Sequence, residues 1–196
     1  MIETGKRILC LGDSNTYGYD PRGALGGRYP KGVRWTSRLG ETGLTVFNRG
    51  MNGSTVPNES QYDVFSELIA SVQPLEAVTV MLGTNDILQG QSAEAAAQQM
   101  ASFLDAMLKS AGEAKMLLIS PPALCPGDWV QSDDVIAESE QLARYYAHLA
   151  GARHIAFADA AKWGVGLAFD GVHFTKEGHG AFFEGAYAAL KTLVSI

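Results

Sequence analysis

Residues 8–15 read Ile-Leu-Cys-Leu-Gly-Asp-Ser-Asn, an apolar run that ends at a glycine and a group of small polar residues. Short apolar runs that end at turn-forming residues are typical of strands buried on both faces of a parallel sheet. Further runs of this kind follow along the chain, at residues 44–47, 77–82, 116–119 and 155–158. The pattern therefore predicts a parallel sheet of five strands.

The stretches between these runs have the apolar spacing of amphipathic helices. The clearest covers residues 92–111, where apolar side chains recur at steps of three and four from Met100 to Leu108. Ser92 suits the N-cap of this helix and Gly112 its end. Weaker helical patterns cover residues 34–40, 60–72, 133–150 and 175–194. Alternating strands and helices predict one α/β domain over residues 1–196, built as a three-layer α/β/α sandwich around the sheet.

Composition excludes several classes of protein. Hydrophobic residues make up 46% of the chain and charged residues 18%, which excludes disorder for most of it. The net charge of −6 argues against a nucleic-acid partner. No apolar run approaches the roughly 18 residues that span a membrane, so we expect no membrane partner. We interpret Cys10 and Cys125 as unpaired thiols in a reducing compartment, and expect a cytoplasmic protein.

Small polar residues follow the carboxyl ends of several predicted strands. These ends meet at one edge of a parallel sheet, where ligands bind, so the residues should converge there. Ser14 follows the first strand, Gly53 lies after the second, Asn85 follows the third, and Asp170 and His173 come after the fifth. This inventory matches acyl transfer by an activated serine, which needs a base, an acid that orients the base, and donors for an oxyanion.

Each of these residues suits a separate role. Ser14 is the candidate nucleophile, and His173 is the candidate base that takes its proton. Asp170, three residues before the histidine, could hold the other ring nitrogen in the correct tautomer. The candidate oxyanion donors are the amides of Ser14 and Gly53 and the side-chain amide of Asn85. We interpret Asp13 and Asp86 as turn residues that bond the backbone, since this is the usual role of aspartate in turns.

Four ordered segments carry a resemblance to a known family. They are Gly12-Asp13-Ser14, Asn48 with Gly53, Gly83-Thr84-Asn85-Asp86, and Asp170-x-x-His173. Together they span nearly the whole chain and resemble the four blocks of the SGNH (GDSL-type) hydrolases. The resemblance implies a flavodoxin-like three-layer sandwich. Because no zinc or phosphate-binding motif occurs, we expect neither a cofactor nor a metal. The resemblance also implies that Ser14, His173 and Asp170 form the triad and that Ser14, Gly53 and Asn85 form the oxyanion hole.

Finer similarity points to one branch of this family. Residues 6–10, 33–36, 81–86 and 120–122 resemble the arylesterase and acetyltransferase branch. That branch implies a small ester substrate with a short acyl group, acetyl above all, and some acyl transfer to alcohols. We expect Tyr17, Tyr19 and Trp35 to make the site apolar. Asn15 departs from the family's leucine. The segment after Gly53 looks shorter than in the branch's oligomeric members, which leaves a homo-oligomer open.

Alternatives remain at this point. Within the family they are a carbohydrate acetylesterase, a thioesterase and a lysophospholipase. Outside it, a flavodoxin-like module could bind a small molecule without catalysis. Thr16 stands where an α/β-hydrolase elbow needs its second glycine, and no zinc-binding H-E-x-x-H motif or P-loop occurs. We expect the loops at residues 18–33, 121–132 and 159–169 to line the ligand crevice.

Overall fold

The computed structural model describes residues 5–23 and 27–195. The strands are β1 (Arg7–Gly12), β2 (Tyr19–Asp20), β3 (Gly27–Arg28), β4 (Thr45–Gly50), β5 (Ala77–Met81), β6 (Lys115–Ser120) and β7 (Ala156–Asp159). The α-helices are α1 (Ser14–Tyr17), α2 (Trp35–Glu41), α3 (Tyr62–Ser71), α4 (Thr84–Leu88), α5 (Ala93–Ala111), α6 (Asp133–Arg153) and α7 (Lys176–Val194).

The main sheet has five strands in the order β4-β1-β5-β6-β7, and every neighbouring pair is parallel. Counted along the chain without the short β2–β3 pair, this order is 2-1-3-4-5, the order of flavodoxin. The predicted sheet and its flavodoxin-like arrangement are confirmed. In this topology the chain reverses its direction of winding between β1 and β5, which is where such sheets bind ligands.

Alternate residues of β1 explain the three layers. Leu9 and Leu11 join a core cluster with Phe103 and the other apolar residues of α5, α6 and α3. Ile8 and Cys10 point to the opposite face and join a second cluster. Side chains alternate between the faces of a strand, so an apolar run of this kind needs helices on both faces.

The second cluster is built around four buried aromatic side chains, those of Trp35, Phe174, Phe182 and Phe183. Trp35 of α2 and Phe182 of α7 lie 4.8 Å apart between ring centroids, and Phe174 lies 5.1 Å from Phe182. Trp163 also packs against Phe182, so the loop at residues 159–169 places its tryptophan against the core. The sequence predicts that this loop lines the ligand crevice, whereas its tryptophan supports the core.

The structure differs from the sequence prediction in some elements. β4 and β7 are the edge strands and are only partly buried, since no other strand of the described residues pairs with their outer edges. The one-turn helices α1 and α4 were not predicted, because four or five residues are too few to show helical periodicity. The loop at residues 18–33 contains the antiparallel β2–β3 pair.

Helix α1 begins immediately after β1. The Asp13 side chain caps it by accepting a hydrogen bond from the Asn15 amide at 2.9 Å, and Gly18 ends it with a φ of 92°. A residue with a side chain would be strained in that left-handed conformation, and glycine is not. These two caps confine the nucleophile turn to a single turn of helix at the carboxyl end of the strand.

None of the helices in residues 5–23 and 27–195 is long and apolar enough to cross a membrane.

Candidate active site

Ser14, His173 and Asp170 lie in one hydrogen-bonded chain. The Ser14 Oγ atom is 3.0 Å from Nε2 of His173, and Nδ1 of the same imidazole is 2.7 Å from Oδ2 of Asp170. All three side chains are buried. This arrangement can pass a proton from the hydroxyl to the imidazole while the carboxylate stabilises the imidazolium.

A tight turn holds Asp170 against His173. The second carboxylate oxygen, Oδ1, accepts hydrogen bonds from the backbone amides of Val172 and His173 at 2.9 and 3.0 Å. Gly171, which directly follows Asp170, has a φ of 79°, a conformation that glycine adopts without strain. The spacing of three residues therefore places the Asp170 carboxylate next to the imidazole of His173. One carboxylate oxygen bonds the backbone of the turn and the other bonds the ring.

The predicted oxyanion donors line the same cavity as Ser14. This cavity has a volume of about 330 Å³ and is lined by Ser14, Tyr19, Asn52, Gly53, Asn85, Trp129, Val172 and His173. The Asn85 side-chain amide donates to the Ser54 carbonyl at 2.9 Å, which uses one of its two N–H groups and fixes its orientation. The amides of Ser14 and Gly53 make no backbone hydrogen bond in the described part of the chain. These groups can therefore donate to an oxygen in the cavity.

The asparagine of the second motif, Asn48, has a supporting position outside the cavity. Its side-chain amide donates to the Thr16 carbonyl at 2.7 Å and to the Thr36 hydroxyl at 2.8 Å. Its side-chain oxygen accepts from the Gly50 amide at 2.9 Å. Asn48 therefore fastens helix α1 to β4 and α2, and its contribution to the site is to hold the nucleophile turn.

Asn15 joins the nucleophile turn to the histidine segment. Its side-chain amide donates to the Val172 carbonyl at 3.1 Å, and its side-chain oxygen accepts from the Phe174 amide at 2.9 Å. These two bonds fall on either side of His173. The departure from the family's leucine thus supplies a buried clamp, a function that we did not predict from the sequence.

The aromatic residues near the site are only partly those that the sequence predicted. Tyr19 lines the cavity, with its ring centroid 4.5 Å from that of His173. Tyr17 does not line it, and the Arg28 guanidinium covers its ring at 4.2 Å. Trp35 lies in the core, 1% exposed, where its indole donates to the Asn15 carbonyl. The indole that does line the cavity is that of Trp129.

Two aspartates lie buried beneath the site. Burial raises the pKa of Asp13 from 3.8 to about 7, against the opposing effect of backbone amides such as that of Asn15. Burial also raises the pKa of Asp86, although the Val56 amide bonds both of its carboxylate oxygens. Neither residue lines the cavity, in agreement with the interpretation that they bond the backbone.

Within residues 5–23 and 27–195, no cluster of three or more histidine, cysteine, aspartate or glutamate side chains could hold a metal ion.

The comparison with known families agrees with this geometry. The GDSL-like Lipase/Acylhydrolase family matches residues 10–181, which include every residue of the site described above. The chain therefore belongs to the GDSL-like, or SGNH, hydrolases, and it is a carboxylic ester hydrolase. No curated protein sequence matches it.

Solved structures cover almost the whole chain. The native aryl esterase of M. smegmatis is 29% identical, with a TM-score of 0.87 over 96% of this chain and 100% of that one. A carbohydrate acetylesterase from Sinorhizobium meliloti is 27% identical, with a TM-score of 0.82 over 97% of this chain and 100% of that one. The α/β fold of this chain is the fold of these hydrolases.

The first prediction concerns the Asn15 clamp. Leucine at this position fills a similar volume but leaves the Val172 carbonyl and the Phe174 amide without their partner. We expect Asn15→Leu to lower kcat about ten- to hundredfold with KM little changed, since small misplacement of a catalytic group is costly. Steady-state kinetics on a short-chain aryl ester measure this.

The control for the clamp is Asn58→Leu. Asn58 also bonds a backbone amide, that of Ser60, but it is exposed and lies outside the cavity. This variant should keep the wild-type kcat. An Asn15→Leu enzyme with full kcat, or one that loses activity only in proportion to unfolded protein, would contradict the role of the clamp.

The second prediction concerns Asp13 and pH. Its folded-state pKa of about 7 lies above the ordinary 3.8, so the folded protein binds more protons than the unfolded chain between these values. The free energy of unfolding should therefore fall as pH rises through this window. Asn at position 13 keeps an acceptor for the Asn15 amide and removes the charge. Relative to wild type, Asp13→Asn should become progressively more stable as pH rises from about 4 to about 7.

Urea unfolding at several pH values across this window measures the effect. The matched control is Asp134→Asn, which removes a carboxylate that is exposed in the folded protein. A stability difference between Asp13→Asn and wild type that stays constant with pH would show that the Asp13 carboxyl does not titrate in this window.

Proposed function

We propose that this chain is a serine esterase that cleaves short-chain carboxylic esters, acetyl esters above all, through an acyl-enzyme on Ser14. The observation that carries the proposal is the continuous chain of hydrogen bonds from Ser14 through His173 to Asp170, open to one small cavity. A non-catalytic binding module has no need of a nucleophile, a base and oxyanion donors together.

In the proposed acylation step, the Ser14 Oγ atom attacks the ester carbonyl while its proton passes to Nε2 of His173. Asp170 holds Nδ1 of the ring and stabilises the imidazolium. The carbonyl electrons move onto the oxygen, which the amides of Ser14 and Gly53 and the second N–H of Asn85 stabilise. When this intermediate collapses, the imidazolium gives the proton to the leaving alcohol.

Deacylation repeats the sequence with a new acceptor. Water gives its proton to His173 and attacks the acyl carbonyl, and the product acid leaves as the proton returns to Ser14. An alcohol in place of water yields a new ester, so acyl transfer is a side reaction of the same mechanism. The tilted contact of Tyr19 with the imidazole supports transfer, because an aromatic wall favours an alcohol over water.

The size of the cavity supports a short acyl group. Its volume of about 330 Å³ lies near the lower end of the ~300–1,000 Å³ range of small-molecule sites. A lysophospholipase or a thioesterase for long acyl groups needs an extended apolar channel, which these lining residues do not form. The similar proteins are named as an aryl esterase and a carbohydrate acetylesterase, which supports the same substrate class.

The direct experiment uses Ser14→Ala and a series of aryl esters from acetyl to long acyl chains. We expect wild type to prefer the acetyl ester and to react covalently with a fluorophosphonate. Ser14→Ala should lower kcat by at least about a thousandfold and abolish labelling, with an unchanged circular dichroism spectrum. A variant with a tenth of wild-type activity, or a wild type that prefers acyl chains beyond about eight carbons, would contradict the proposal.

A further prediction isolates the oxyanion donor Asn85. The hydrogen bond from Asn85 should strengthen only in the transition state, so its loss should lower kcat and leave KM little changed. We expect Asn85→Ala to lower kcat about a hundred- to thousandfold, about 2.7 to 4 kcal/mol. Asn85→Asp should be at least as impaired, since an ionised carboxylate repels the oxyanion.

Two outcomes would contradict this role of Asn85. One is an active Asn85→Asp enzyme. The other is a pair of variants whose loss follows thermal stability, because Asn85 also bonds the Ser54 carbonyl and could act only by holding that loop.

A further inference from the structure

The side chain of Trp129 is exposed although it lies against the imidazole of His173. It is 57% exposed, and its ring centroid is 5.1 Å from that of the histidine, with the planes at 82°. Large apolar side chains are costly to leave in water, so a fixed, exposed indole beside a reactive group favours contact with a ligand.

The backbone at Trp129 is held to the segment that carries Asp170 and His173. Its amide donates to the Asp170 carbonyl at 3.1 Å, and Gly127 and Val130 exchange two hydrogen bonds at 3.0 and 3.1 Å. Val130 is 2% exposed and anchors this turn in the core. The indole is therefore presented by a turn that is fixed at both ends.

The approach of the two loops requires glycine. A Cβ atom at Gly127 would lie 2.4 Å from the Asp170 carbonyl carbon, and one at Gly171 would lie 2.1 Å from the Cys125 carbonyl oxygen. No side chain fits at either contact. The loop that carries Trp129 and the loop that carries Asp170 and His173 are therefore packed backbone to backbone.

The proposed reaction determines which half of an ester contacts the aromatic side chains of Tyr19 and Trp129, which we call the aromatic wall. His173 must give its proton to the leaving oxygen, so that oxygen has to lie within hydrogen-bond distance of Nε2. The carbonyl oxygen meanwhile faces Gly53 and Asn85. The group attached to the leaving oxygen then extends past the imidazole, where Tyr19 and Trp129 contact the ring. An acceptor alcohol occupies the same position during deacylation.

We propose that Trp129 and Tyr19 form the binding site for the alcohol half of the ester and select alcohols that contain a flat or ring-shaped apolar surface. The inference rests on the proposed function and adds to it the class of leaving group and acceptor. Aromatic alcohols and sugar rings share this chemistry, since both present such a surface to an aromatic side chain. Linear alkyl alcohols present less.

The experiment compares benzyl acetate with ethyl acetate, which share an acyl group and have alkyl alcohols as leaving groups. We expect Trp129→Ala to lower kcat/KM about tenfold for benzyl acetate and less than about threefold for ethyl acetate. In the presence of benzyl alcohol, the ratio of transfer to hydrolysis from the common acetyl-enzyme should fall as well. Trp129→Phe should retain most of the benzyl acetate activity and of the transfer ratio. Trp129→Ala should also lower kcat/KM for a monosaccharide acetate about tenfold, and an unchanged value would overturn the claim for sugar rings.

The matched control is Phe169→Ala. Phe169 is 56% exposed on the adjacent loop but does not line the cavity, so the benzyl-to-ethyl selectivity should stay at the wild-type value. If Trp129→Ala lowers kcat/KM equally for both acetates, or changes the acetyl-to-butyryl preference instead, the inference is overturned but the proposed function is not. A wild-type protein that cleaves none of these acetates would overturn the proposed function, and the inference with it.

Discussion

The hydrogen bonds of Asn15 connect the two parts of the chain from which the site is built. Ser14 and His173 are 159 positions apart in sequence, and their 3.0 Å contact requires the end of β1 and the segment before α7 to stay in fixed register. The Asn15 side chain supplies this register by bonding the backbone on both sides of His173. The Trp35 indole in turn holds the Asn15 carbonyl, so the core between α2 and α7 supports the same junction.

A second constraint comes from burial of charge beneath the nucleophile turn. Asp13 caps α1 and Asp86 bonds the Val56 amide, and burial raises the pKa of both carboxyls. The charge of Asp86 adds to the rise at Asp13. A buried carboxylate is costly unless several donors surround it. Asp170 accepts hydrogen bonds from two backbone amides and from the imidazole of His173.

Backbone hydrogen bonds between residues 125–130 and 168–171 connect the loop that carries Trp129 to the turn that carries Asp170. Cys125, Asp128 and Trp129 donate from their amides to carbonyls of the loop that carries Asp170. Trp129 and the turn that carries Asp170 and His173 therefore share one rigid support. Any change that moves the Trp129 loop should also disturb the Asp170 turn, which is why a side-chain truncation tests the wall better than a backbone change.

The sequence by itself determined the elements and the polar residues at their ends. Apolar runs such as 8–11 fix strands because they need cover on both faces, and the glycine-bearing clusters after them are local features. The structure brings the predicted Ser14, His173, Gly53 and Asn85 to one cavity, because parallel strands place their carboxyl ends at the same edge. Asp170 is buried outside this cavity, where it bonds Nδ1 of His173.

Only the tertiary structure decided which residues surround them. The sequence predicts Trp35 at the site, yet Trp35 lies in the core and Trp129 lies beside His173. Asn15 reads as a turn residue until the Val172 and Phe174 backbone lies beside it. The physical reason is that hydrophobic periodicity identifies only the helix or strand to which a residue belongs. The contacts of Trp129 and Asn15 join segments more than 40 positions apart, and only packing of the layers brings such segments together.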